Sequence, residues 1–146
     1  MAKPSPPEGP GIHEGVDLAD RRWVRRAYSA VCLVTDAVLI FLFAVMGNIS
    51  HESGLTPGAL WTTAWPFLLG LALGWWATSG WRSPSSIWPS GILLVIVTVT
   101  GGMILRHYFT NGGAQLSFIL VATLTLGILM LGRRLLTKLL LPRRGT

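Results

Sequence analysis

Across residues 27–132 the chain carries four charged side chains: Asp36, Glu52, Arg82 and Arg106. A soluble fold cannot hide so long an apolar stretch, and soluble domains carry charge at roughly a quarter of all their positions. Here charged residues make up 12% of the 146 residues and hydrophobic ones 51%. Mean hydropathy is +0.54. A bilayer is the solvent that tolerates such a sequence, and in a bilayer the backbone must satisfy its own hydrogen bonds. The expected fold class is therefore all-α, an integral-membrane four-helix bundle.

Polar punctuation divides the stretch. Spans are expected at residues 27–47, 58–80, 88–109 and 115–132, together with their flanks forming a domain over residues 21–134. A span of about 20 residues at 1.5 Å rise matches the ~30 Å hydrocarbon core. Residues 1–20, with Pro4, Pro6, Pro7 and Pro10, bury too little apolar surface to offset ordering entropy and read as a disordered cytoplasmic tail. Residues 135–146 read as a basic tail, either extending the last helix or lying along headgroups. The first apolar run starts too late and runs too long for a signal peptide.

The cations sort by side. Lys3, Arg21, Arg22, Arg25 and Arg26 precede the first span, and Arg82 lies in the second loop. Arg133, Arg134, Lys138, Arg143 and Arg144 follow the fourth. The first and third loops carry neither Lys nor Arg. By the positive-inside rule both termini are cytoplasmic and the protein is a multi-pass protein of the cell membrane. The pI near 10.8 is thus explained by topogenic cations rather than by nucleic acid as a partner. Most tryptophans fall where interfacial belts are expected, with Trp75, Trp76 and Trp81 at the inner end of the second span.

Packing signals lie within the spans. Pro66, Gly70 and Gly74 share a ridge of the second span, and Gly102 lies on one of the third. Small residues let helix backbones approach closely, which matters where lipid removes the hydrophobic drive between helices. The same ridges would serve a bundle or a homodimer.

Two charges inside the spans are the functional candidates. Asp36 lies about 13 Å into the first span by helical rise, at mid-depth. An aspartate there costs about 2.5–3.5 kcal/mol, so it faces the bundle or a partner, with Ser29 and Cys32 on its face. It serves as a structural lock, a proton or cation relay, or the mate of a partner's charge. Arg106 either snorkels to headgroups or turns inward toward Glu52 or Asp36. His51, Glu52, Arg106 and His107 form an extracytoplasmic polar cluster, whose spacing matches no defined metal-ligand pattern. No metal or cofactor is expected.

An aspartate in the first span, G-x-x-x-H-E through Gly47, His51 and Glu52, A-W-P-F-x-x-G-x-x-x-G-W over residues 64–75, T-x-x-x-G-M-x-L-R over residues 98–106 and F-x-x-V-A over residues 118–122 occur together. The chain resembles, over residues 36–134, an uncharacterised four-span membrane protein family common in actinobacteria and also seen in haloarchaea. The first loop departs from it, with Asn48, Ile49 and Ser50 where the family often carries an arginine. The resemblance implies no activity.

Enzyme motifs such as G-x-S-x-G and H-E-x-x-H are absent from the sequence. The expected role is a non-enzymatic accessory or assembly subunit beside a larger membrane protein. The alternative is a dimeric small transporter or proton-coupled carrier using Asp36. Four short helices with one carboxylate in the first is also the architecture of small multidrug-resistance transporters, an analogy of shape alone.

Overall fold

The computed structural model describes residues 12–50, 54–111, 113 and 115–140, with side chains of residues 12–19 and 50 set aside. Four helices follow one another: α1 (Ile12–Ser50), α2 (Pro57–Ala77), α3 (Ser90–Phe109) and α4 (Leu116–Leu140). Each packs on its chain neighbours, and α1 also packs on α4, closing the ring; the diagonal pairs stay apart. The start of α1, the α2–α3 loop and the end of α4 share what we term the basic end. By length and composition α1, α3 and α4 can cross a membrane. Helix α2 interleaves tryptophans, threonines, glycines and prolines with its leucines and alanines. The regular structure of the described residues is all helical, with three helices suited to a bilayer.

One boundary differs from expectation. Helix α1 begins at Ile12, inside the segment expected to be a disordered tail. The last proline of that segment is Pro10, so nothing after it blocks a helix, and the single Gly15 costs only about 1 kcal/mol. Helix α4 runs past residue 132, through Arg133 and Arg134 to Leu140, so the start of the basic tail extends the last helix.

Helix α2 is punctuated by its own sequence. Thr56 caps it, its hydroxyl accepting from the Ala59 amide at 3.3 Å, and Pro57 follows where a missing N–H is harmless. At the other end the Gly80 N–H donates to the Trp75 carbonyl at 2.8 Å and Ser79 N–H to the Trp76 carbonyl at 3.2 Å. This is a Schellman closure with Ser79, at φ 49°, in the left-handed position glycine usually takes.

The tightest contact joins α2 to α3. A methyl placed on Gly70 would lie 2.4 Å from the Thr98 carbonyl oxygen, and one on Gly102 would lie 2.4 Å from the Phe67 ring. On Gly74 it would meet the Leu94 carbonyl at 3.2 Å. The expected small-residue ridges thus face each other within one chain. Pro66 is buried in the same helix. The core behind this seam includes Ile40, Phe43, Phe67, Leu94, Leu126 and Met130, all nearly inaccessible. Phe43 meets Phe67 edge-on at 5.3 Å between centroids, and Phe118 completes the cluster. Val34, Phe41, Leu73, Ile96 and Ile128 point outward, an apolar exterior that water would not favour.

Candidate functional site

Along α1 the buried residues Ser29, Cys32, Asp36, Ile40 and Phe43 recur at helical spacing, so one stripe faces the bundle. Asp36 is the charged member of that stripe and is fully buried. Its Oδ1 accepts from Arg133 Nε at 2.7 Å. Its Oδ2 accepts from Arg133 Nη2 at 3.3 Å, Arg134 Nη2 at 3.3 Å and Trp75 Nε1 at 3.2 Å. The Arg133 guanidinium thus grips the carboxylate side-on with two donors, the geometry in which such pairs are strongest.

Each partner is held in turn. Arg133 Nη2 also donates to the Pro84 carbonyl at 3.2 Å, and Arg134 Nη1 to the Met130 carbonyl at 3.2 Å. Arg134 threads past Gly91, where an added methyl would lie 3.0 Å from its Cδ. Gly80 lies under the Trp75 indole, where a methyl would come within 2.8 Å of the ring. The turn that ends α2 therefore also aims Trp75 at Asp36. One carboxylate and two guanidiniums leave the cluster with a net charge of +1.

The Asp36 carboxylate and the Pro84 carbonyl of the α2–α3 loop share the Arg133 guanidinium. Asp36 does not meet Arg106. The Arg106 guanidinium lies 4.3 Å from the centroid of Phe118, in the first turn of α4, whereas Arg133 and Arg134 lie toward its other end. Arg106 is half-buried and its Nε has no hydrogen-bond partner among the described residues. A cation over an aromatic face gains up to about 2 kcal/mol where water is excluded. His107 is exposed, its ring edge-on to Tyr108 at 5.1 Å. His51 and Glu52 lie outside the described residues, so the expected polar cluster is drawn here only through Arg106 and His107. Among the described residues no three His, Cys, Asp or Glu side chains group as metal ligands.

Sequence reasoning missed Arg133, Arg134 and Trp75. The arginines had been assigned to topology and the indole to an interfacial belt. Trp75 is buried, unlike the exposed Trp76 and Trp81. A signal existed: a span ending at residue 132 is about 27 Å long by helical rise, short of the bilayer core, so the next two residues belong at membrane level.

No curated protein and no solved structure matches the chain. The residues that build the ion cluster, from Asp36 to Arg134, all fall within the stretch 33–137 that matches a single family model, and on that match the chain belongs to the family described as protein of unknown function (DUF3054).

Proposed function

We propose that this protein is a non-enzymatic accessory or assembly subunit of a larger membrane complex, crossing the cell membrane four times with both termini in the cytoplasm. The observation that carries this reading is the state of Asp36. Both of its oxygens are taken up by Arg133, Arg134 and Trp75 of the same chain. A carboxylate so occupied serves the bundle as a lock between α1, α2 and α4. A carrier using Asp36 would have to exchange these partners for cargo in every cycle. Cation placement supports the cytoplasmic assignment, and the position of α2 inside the ring supports its reading as a fourth span.

The test is recovery of the tagged full chain in mild detergent, followed by quantification of what comes with it. A stoichiometric integral-membrane partner is the expected result. Isolation of the chain alone, together with pH-driven flux in proteoliposomes that Asp36→Asn abolishes while the variant still folds, would replace this reading with the carrier.

A further inference from the structure

The basic end holds a feature that the Asp36 lock does not explain. Two adjoining cavities, of about 700 Å³ and 310 Å³, open there. They share a wall made by Arg25 and Ser29 of α1 and Trp81 and Arg82 of the α2–α3 loop. The larger adds Lys138 from α4 and hydroxyls from the loop serines. The smaller adds Arg22 and Arg26. Among the described residues no acidic side chain lines either cavity.

The wall is built before any ligand arrives. Ser29 Oγ donates to the Trp81 carbonyl at 2.9 Å, and the Tyr28 hydroxyl hydrogen-bonds that of Ser85. Arg133 holds the Pro84 carbonyl, and Pro84 lines the larger cavity. The loop is thus tied to α1 and α4, which spares a ligand the entropy of ordering it. Through Pro84 the net positive Asp36 cluster is tied to the wall, although none of its members lines either cavity. Topogenic cations need only lie near headgroups. They have no need of a preformed cavity with hydroxyls between them.

Guanidinium forks and hydroxyls together match the tetrahedral oxygens of phosphate. Trp81 and Tyr28 add amphipathic rings of the kind that sit at headgroup level. We propose that the larger cavity binds the phosphate group of an anionic ligand, supplied by a phospholipid headgroup or by soluble phosphate.

The experiment uses the full chain in phosphatidylcholine nanodiscs at fixed ionic strength. In one arm phosphatidylglycerol is titrated into the discs and retained lipid is read by native mass spectrometry. In the other, inorganic phosphate is titrated against matched chloride and binding is read calorimetrically. Arg82→Gln should weaken the positive arm about tenfold, the scale of one lost charge-assisted hydrogen bond. Arg21→Gln removes the same charge outside both cavities and should change it less than about twofold. Lys138→Gln, on a different element, repeats the test should Arg82→Gln fail to fold. Selective phosphatidylglycerol retention supports the site with a lipid source, and saturable phosphate binding supports it with a soluble one. Equal weakening by Arg21→Gln and the cavity variants, or no preference in either arm, overturns it.

Discussion

Two guanidiniums converge on one carboxylate inside the bundle, so removing the carboxylate is more disruptive than its own contacts indicate. Asp36→Asn would leave Arg133 and Arg134 facing each other with side-chain exposures of 11% and 3%. Breaking a buried pair from one side costs about 3–5 kcal/mol, because the remaining charge is uncompensated. We expect a loss of that size in denaturant titration of the detergent-solubilised protein; a loss below about 1 kcal/mol would show that the lock is dispensable. Trp75→Phe keeps the ring but deletes one donor, and should cost about 1–3 kcal/mol in the same assay. The stripe of Ser29, Cys32 and Asp36 was legible in the sequence because helical periodicity places those residues on one face. The partners were not, since they lie 39, 97 and 98 positions away and no local rule links them.

At the scale of the helix, glycines that look alike in sequence do different work. Gly70→Ala would drive a methyl against the Thr98 backbone, which cannot yield as a side chain would. Overpacking of this kind costs about 1–3 kcal/mol. Gly47 and Gly132 have nothing within 4 Å of an added methyl, so their alanine variants should be neutral or gain about 0.5–1 kcal/mol from helix propensity. A thermal series in one detergent checks the contrast, and similar losses at all three positions would refute it. Ser79 offers the opposite case, a side chain at φ 49° where a Cβ is crowded. Ser79→Gly should stabilise the protein by about 1 kcal/mol, visible as a raised Tm. The G-x-x-x-G spacing announced a close helix contact, but whether it joined α2 to α3 or to another copy was decided by where α3 placed Gly102 and Thr98.

For the whole molecule, the up-and-down ring brings the start of α1 and the end of α4 to one end. Reporters fused to the N-terminus and to the C-terminus should therefore sit in the same compartment, the cytoplasm if the cations act as topogenic signals. A pair of fusions active on opposite sides of the membrane would break both the ring order and the sidedness. The outward apolar residues should remain inaccessible to water-soluble labels in intact membranes.

The sequence by itself determined a helical, lipid-compatible chain, the approximate division into four segments, the inward face of α1 and the positions able to bring helices close. These follow from local quantities: apolar run length, helical period and side-chain size. The tertiary structure alone decided that Asp36 answers to Arg133, Arg134 and Trp75 rather than to Arg106. Charge pairing depends on distance in space, and only the closed ring carries α4 back to α1. Two arginines that local context marked as membrane flanks thereby became the inner partners of the carboxylate.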